Sequence, residues 1–202
     1  METEFEAKFY PVDKEKYRKI LKSIGAKLVI PERKMIRAIA DNSANKFLDK
    51  NDYIRVRNEG NLVRLSFKKT ADETGKVSDQ KEVDVEVSDY YKIIEILKLI
   101  GIKFNRVQET LREEWSYKGA EIVIDTWPGL ETYTEIEADS EEKVHKIALD
   151  LGFKWEKKII TAAAEVYAKV YGLSIDEVLE KTSNITFGNN PFKGLTRKWN
   201  GY

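Results

Sequence analysis

Charged and apolar residues alternate with a period of two in seven separate segments of this sequence. This period is typical of a β-strand, because successive side chains of a strand point to opposite faces. In KEVDVEV, for example, Glu82, Asp84 and Glu86 share one face and three valines share the other. The seven segments are 3–9, 53–57, 62–68, 82–87, 111–116, 121–126 and 133–137. So many short strands with few intervening helices indicate an α+β protein with an antiparallel sheet.

Helices are predicted after three of these strands. The segments ILKSIGAKL, ILKLIGIKF and IALDLGFKW align as helix ends, each closing with a glycine stop. We expect these helices to begin after N-cap residues Asp13, Ser88 and Ser140. Gly60–Asn61 predicts a hairpin turn. The polar segment 70–80 is predicted to be a mobile loop.

The C-terminal part of the chain has a different character. The patterns predict helices at 161–172 and 174–181, followed by an irregular tail with aromatic residues and glycines. We therefore divide the chain into a main domain, 1–159, and an extension, 160–202, that packs on it.

Composition limits the classes of function. Among 202 residues, Lys plus Arg and Asp plus Glu both number 35, and this balance argues against nucleic acid as a partner. No run of 18 apolar residues predicts a membrane span, and the charged N-terminus does not have the pattern of a signal peptide. The absence of cysteine suits a reducing compartment, so we expect a cytoplasmic protein. The sequence leaves its oligomeric state open, with a homodimer as one option.

The charged strand faces predict a polar interior. The apolar faces must be covered, and the amphipathic helices can cover them from outside. The charged faces then converge inside a barrel with a polar lumen. The alternative is that each charged face is exposed to solvent.

Such a lumen would hold cations beside carboxylates. Buried charges are costly unless they are paired or coordinated. A polyphosphate that carries a divalent metal satisfies both signs, because basic side chains bind phosphate oxygens and carboxylates bind Mg²⁺ or Mn²⁺. Glu4 and Glu6, like Glu135 and Glu137, lie about 6.6 Å apart along a strand, a spacing that suits one ion or two neighbouring ions.

The motifs resemble those of the CYTH superfamily, the triphosphate tunnel metalloenzymes. EFEAK at 4–8 matches the N-terminal ExExK signature of that family. The segments that follow, YIRVR, SFKK, KEVDVEV, LREEW and IVIDTWPGLETYTEIE, occur in the family's order, and the resemblance covers residues 1–157. It implies an eight-stranded antiparallel tunnel that binds a triphosphate with Mg²⁺ or Mn²⁺.

The resemblance also implies roles for individual residues. The basic residues would bind the phosphates, and Lys8 with nearby carboxylates such as Glu4 and Glu6 would orient or activate a water. The implied phosphate-binding residues are Lys8, Arg55, Arg57, Lys68 and Arg112. The implied metal-site residues are Glu4, Glu6, Glu82, Asp125, Glu135 and Glu137. Of these, Glu82 and Asp125 lie at acidic positions of the family whose role is less defined.

Two positions depart from the family pattern. Thr110 stands where the family often has a lysine, so one phosphate contact is either missing or replaced by Arg106. Glu131 stands where the family has a glycine, so the turn there can differ. Arg33, Lys34 and Arg37 form a cationic strand start that meets either the terminal phosphate or water.

Several functions share the expected site. We favour a metal-dependent hydrolase of inorganic tripolyphosphate, thiamine triphosphate or a nucleotide such as ATP. The alternatives are an adenylyl cyclase that forms cyclic AMP and pyrophosphate from ATP, a non-catalytic sensor of nucleotide or polyphosphate, and a scaffold. The six acidic residues argue against the sensor, because anion binding alone does not need them.

Overall fold

The computed structural model describes residues 2–3, 5–50, 52–69, 81–160 and 162–201. Glu4 and the predicted mobile loop at 70–80 lie outside the described residues. The elements are β1 (Glu2–Thr3), β2 (Phe5–Phe9), α1 (Lys14–Ser23), β3 (Lys27–Asp41), β4 (Asp52–Asn58), β5 (Val63–Lys69), β6 (Lys81–Val87), α2 (Tyr90–Leu99), β7 (Arg106–Tyr117), β8 (Ala120–Thr126), β9 (Tyr133–Ala138), α3 (Glu141–Asp150), α4 (Ala163–Tyr171), α5 (Ile175–Lys181) and β10 (Asn184–Ile185).

The strands form one curled sheet in the order β1-β6-β5-β4-β3-β7-β8-β9-β2. All neighbours along this order are antiparallel. Because β1 and β2 are separated by a single residue, the N-terminal segment pairs with β6 at one end of the order and with β9 at the other. With β1 and β2 taken as one strand, eight antiparallel strands surround a central space, so the predicted α+β class and strand number are confirmed. The short β10 adds to β7 in parallel.

Helices cover much of the outer face of the sheet. Leu21 of α1 and Ile147 of α3 pack on the apolar residues of β2, β8 and β9, which include Phe9 and Ile122. Helix α2 packs over Ala38 and Val56 of β3 and β4. Strand β6 is an exception, because its outward valines, Val83 and Val85, are 51% and 55% exposed. The expectation that helices cover every apolar face is wrong for this strand.

The extension packs against one end of the curled sheet. Val166, Tyr167 and Val170 of α4 share a buried cluster with Trp127 and Tyr133 of the sheet region. Tyr167 also donates a hydrogen bond from its hydroxyl to the Pro128 carbonyl at 2.6 Å. The division into a domain and an extension stays a prediction. No helix in the described part of the chain is long and apolar enough to cross a membrane.

The helix starts confirm two of three predicted caps. Asp13 and Ser140 accept hydrogen bonds from the backbone amides of Lys16 and Lys143. The cap of α2 is Asp89 rather than Ser88, and its carboxylate accepts from the amides of Tyr91 and Lys92, both at 2.9 Å. A carboxylate can satisfy two free amides of the first turn at once, which explains why the second of the two polar residues is the cap.

The longest strand was only partly predicted. Strand β3 runs from Lys27 to Asp41, whereas the sequence indicated a strand only in its cationic second half. Pro31 and register shifts between Leu28 and Arg33 interrupt the alternation in the first half. The predicted hairpin at Gly60–Asn61 is confirmed, since β4 and β5 pair antiparallel on either side of it.

Candidate active site

A cavity of about 390 Å³ lies inside the curled sheet. Its size falls within the range of small-molecule sites, about 300–1,000 Å³. All predicted site residues that the structure describes line this central cavity; Glu4 lies outside the described residues. They are Glu6, Lys8, Arg55, Arg57, Lys68, Glu82, Arg112, Asp125, Glu135 and Glu137.

Strand alternation brings these side chains together. In β2, Ala7 and Phe9 belong to the outer core, whereas Glu6 and Lys8 line the cavity. The antiparallel register places Glu6 opposite Glu137 and Lys8 opposite Glu135. The charged faces therefore converge as the alternation predicted.

Lys8 lies between two carboxylates. Its Nζ is 2.6 Å from Glu6 Oε1 and 3.6 Å from Glu135 Oε1. Burial alone would lower the pKa of Lys8, but the charges of Glu6 and Glu135 and the hydrogen bond to Glu6 together outweigh burial, and the pKa is raised. The amine therefore stays protonated, so it can orient an anion or a water but cannot accept a proton.

A second cluster joins β4, β5 and β6. Arg55 donates from Nη2 to Glu82 Oε1 at 2.6 Å, and Lys68 Nζ is 3.2 Å from Glu82 Oε2. Lys68 Nζ is also 3.6 Å from Glu6 Oε2. Burial would raise the pKa of Glu6, but Lys68 and Lys8 together lower it to about 2. Glu6 is therefore ionised across the physiological pH range.

Arg112 pairs with two carboxylates of the cavity. Its Nε and Nη2 donate to the two oxygens of Asp125 at 2.8 and 2.6 Å, and Nη2 also donates to Glu135 Oε2 at 2.8 Å. Asp125 is fully buried, which would raise its pKa, but the guanidinium of Arg112 holds the pKa below its ordinary value. This fork fixes the orientation of Arg112 across β7, β8 and β9.

The arginines of the cavity also repel one another. Arg57 Nη2 lies 2.6 Å from Glu59 Oε1, an acid that the alternation pattern did not single out. Even so, burial and the charges of Arg55 and Arg112 lower the pKa of Arg57 to about 9. An anion bound among these guanidinium groups would relieve their repulsion.

Carboxylates gather at one side of the cavity. Burial, together with the charges of Glu6 and Glu121, raises the pKa of Glu137 to about 7. Oxygen donors of this kind suit Mg²⁺ or Mn²⁺, and a cation would relieve the repulsion. The donor chemistry therefore fits the implied metal, although no three acidic side chains of the described residues, which exclude Glu4, are arranged to hold an ion. The sequence prediction of site residues did not include Glu121. Glu121, Val123 and Asp125 are two residues apart and so share one face of the strand, and this spacing was the signal that could have identified Glu121.

The two departures from the family pattern have distinct surroundings. Thr110 accepts a hydrogen bond at its hydroxyl from Arg37 Nη2 at 2.8 Å. Arg106 also lines the cavity, but its guanidinium donates to the Asp41 carboxylate and to the Leu179 carbonyl. Glu131, at the altered turn, accepts from Arg197 of the extension at 2.8 Å.

The cationic segment of β3, residues 33–37, divides between the cavity and the outside. Arg33 bonds to Glu114 and to the Glu59 carbonyl. Lys34 points outward, with 60% of its side chain exposed, and pairs with Glu109. Arg37 alone of the three lines the cavity. Arg37, Ile39 and Asp41 are two residues apart along β3 and so share one face. This spacing was the sequence signal that could have placed Arg37 in the cavity.

The family model described as the CYTH domain matches residues 2–163. The chain belongs to the CYTH family. CYTH proteins are enzymes of the triphosphatase and adenylyl cyclase type. No curated protein sequence matches this chain significantly.

Solved structures share the fold. A Pyrococcus furiosus protein is 22% identical with a TM-score of 0.66, over 79% of this chain and 97% of that one. A Vibrio parahaemolyticus protein proposed as an adenylate cyclase is 9% identical with a TM-score of 0.69, over 83% of this chain and 98% of that one. A Hippeastrum protein proposed as an adenylyl cyclase, and reported to have a dominant triphosphatase activity, is 13% identical with a TM-score of 0.52, over 86% of this chain and 97% of that one. At these identities the likeness shows the fold alone.

Proposed function

We propose that this CYTH protein hydrolyses a triphosphate, inorganic or organic, with Mg²⁺ or Mn²⁺. The supporting observation is the convergence of five predicted phosphate-binding cations in one cavity. Each is buried, and carboxylates fix the orientation of several of them. Preorientation of this kind lowers the cost of binding a polyanion and holds its phosphorus atoms in place for attack. The five cations are Lys8, Arg55, Arg57, Lys68 and Arg112.

The acids divide into two roles in this proposal. Glu82 and Asp125 accept from Arg55 and Arg112, so we assign them to orienting these arginines. Glu6, Glu135 and Glu137, with Glu4 and Glu121, are the residues that would hold the metal. When bound, a divalent cation neutralises phosphate charge and lowers the pKa of a bound water.

Lys8 orients the reacting groups, and Glu137 couples metal binding to the loss of a proton. Lys8, protonated between Glu6 and Glu135, orients the terminal phosphoryl group or the water by donating hydrogen bonds. Glu137, whose pKa is raised to about 7 by burial and by the charges of Glu6 and Glu121, would give up its proton when a cation binds beside it.

A substrate panel tests the reaction. Tripolyphosphate, thiamine triphosphate and ATP are incubated with Mg²⁺ or Mn²⁺, and orthophosphate, pyrophosphate and cyclic AMP are measured. We expect orthophosphate. Cyclic AMP with pyrophosphate would favour the cyclase, which the fold shared with the Vibrio protein makes the second candidate. Tight binding without turnover would favour a sensor.

Two matched substitutions test the site. Arg55→Met is expected to raise the KM for the triphosphate about 10- to 100-fold, because a charge-assisted hydrogen bond to phosphate is lost. Lys34→Met removes an exposed cation from the outer face and should leave KM unchanged. Equal KM values for the two variants would remove Arg55 from the site.

A further inference from the structure

Arg37 is a buried cation that pairs with no carboxylate of the described residues. It is 6% exposed and lines the cavity from β3, in register with Arg57 on β4 and Gln108 on β7. Within the described part of the chain, no acidic oxygen lies within 4.0 Å of its guanidinium. Arg57 and Arg112, by contrast, each pair with an acid.

The polar atoms around Arg37 are not all satisfied. Nη2 donates to the Thr110 hydroxyl at 2.8 Å, whereas Nε is buried and has no acceptor among the described residues. The guanidinium carbon lies 4.7 Å from the centroid of the Trp127 ring. The indole Nε1 of Trp127 is also buried without an acceptor in the residues described. Two touching side chains therefore present unused donors at one cavity.

The electrostatic surroundings make this arrangement unfavourable on its own. Burial, then the charges of Arg55 and Arg112, lower the pKa of Arg37, and the charge of Asp125 opposes this only in part. A buried, incompletely paired charge destabilises a fold unless something compensates it. The Trp127 ring compensates only in part, since a cation–π contact supplies no hydrogen-bond acceptor. An anion with several oxygens would supply both the charge and the acceptors that are missing.

We propose that Arg37 is a further phosphoryl-binding residue of this cavity, an inference that rests on the proposed function. Held by Thr110 and stacked on Trp127, it supplies the cation that family members often carry as a lysine at the Thr110 position. Arg106, the other candidate for this replacement, already donates to Asp41 and to a backbone carbonyl. The ligand class is an inorganic or esterified polyphosphate, bound through a non-bridging oxygen at the Arg37 Nε.

Calorimetric binding of tripolyphosphate in EDTA tests this inference without turnover. The variants are Arg37→Met, Arg37→Met with Thr110→Lys, and Lys34→Met as the control on the outer face of the same strand. We expect Arg37→Met to weaken binding about 10- to 100-fold, as for loss of a charge-assisted hydrogen bond. Thr110→Lys should restore most of that loss, and Lys34→Met should bind as the wild type does.

Thermal unfolding of the same variants separates binding from a structural role. Without ligand, Arg37→Met should unfold at the same temperature as the wild type or higher, because it removes an incompletely paired buried charge. Added tripolyphosphate should raise the unfolding temperature of Arg37→Met by less than it raises that of the wild type. A variant that is less stable but binds normally would overturn the inference. If Arg37→Met is less stable and also binds weakly, rescue of binding by Thr110→Lys supports the inference, and failure of rescue overturns it.

The outcomes also separate this inference from the proposed function. If the wild type binds tripolyphosphate and Arg37→Met binds it equally well, only the role of Arg37 is wrong. If the wild type binds no tripolyphosphate in EDTA, the inference about Arg37 fails, whereas the proposed function is decided separately by the substrate panel with Mg²⁺ or Mn²⁺.

Discussion

Glu137 combines a raised pKa with a position at the proposed metal site. Its pKa is about 7 in the folded protein, against an ordinary value of 4.5. Between these two pH values the folded state binds more protons than the unfolded state, so the free energy of unfolding falls as pH rises through this window. Glu137→Gln removes this penalty. In EDTA we expect the variant to exceed the wild type in unfolding free energy by about 1–3 kcal/mol at pH 8, with little difference at pH 5.

Urea unfolding at pH 5 and pH 8 measures this effect. Glu95→Gln, which replaces an exposed carboxylate on α2, serves as the control. A difference between Glu137→Gln and the wild type that stays constant from pH 5 to pH 8 would contradict the assignment.

Arg112 should not tolerate replacement by lysine. A lysine cannot donate in parallel to both oxygens of the fully buried Asp125, so an acceptor is left poorly satisfied. We expect Arg112→Lys to lower the unfolding free energy by about 1–3 kcal/mol and to weaken tripolyphosphate binding as well. Urea unfolding and calorimetry measure the two effects.

Arg18 provides a matched control for that substitution. It also donates to both oxygens of a carboxylate, Glu113, but on the outside of the sheet. Arg18→Lys should cost less stability than Arg112→Lys, because Arg18 is only partly buried and Glu113 also accepts from Trp115 Nε1, and it should leave binding unchanged. If both lysine variants lose binding equally, the effect of Arg112 would be a general one on the fold.

At the scale of elements, the cap of α2 yields a prediction that distinguishes two adjacent residues. Asp89 accepts from two backbone amides of the first turn. Asp89→Ala should therefore lower the unfolding free energy by about 1 kcal/mol, whereas Ser88→Ala should have almost no effect. Urea unfolding of the two variants measures this difference. A larger loss for Ser88→Ala would show that the cap had been assigned to the wrong residue.

Elements with an unbroken pattern were predictable from the sequence, and interrupted ones were not. The three strand–helix units and the Gly60–Asn61 hairpin follow from local periodicity and turn chemistry. The first half of β3 does not, because Pro31 and the register shifts depend on pairing with β7, which is distant in sequence. For the same reason, the sequence does not decide whether Arg37 contacts the terminal phosphate or water. Its isolation from carboxylates depends on which strands lie beside β3.

At the scale of the whole molecule, a net charge of zero includes charged groups of both signs on the outside of the sheet and inside the cavity. Outer lysines pair with nearby acids, as Lys118 does with Asp150 and Lys143 with Asp139, both within 3 Å. The cavity holds Arg37, Arg55, Arg57 and Arg112 among carboxylates in a confined volume, where only a small anion can reach them. The protein should therefore attract a small polyanion that enters the cavity and should ignore a large one that meets only the outside.

Unfolding measured with two polyanions tests this distribution. Tripolyphosphate at 100 times its Kd should raise the unfolding free energy by about 2.7 kcal/mol, whereas duplex DNA at the same phosphate concentration should leave it unchanged. The effect of tripolyphosphate should persist between 50 and 200 mM salt, since buried ion pairs are screened much less than exposed ones. Stabilisation by DNA that disappears with added salt would instead indicate a basic outer surface, and the charges of the cavity would then not determine which anions the molecule binds.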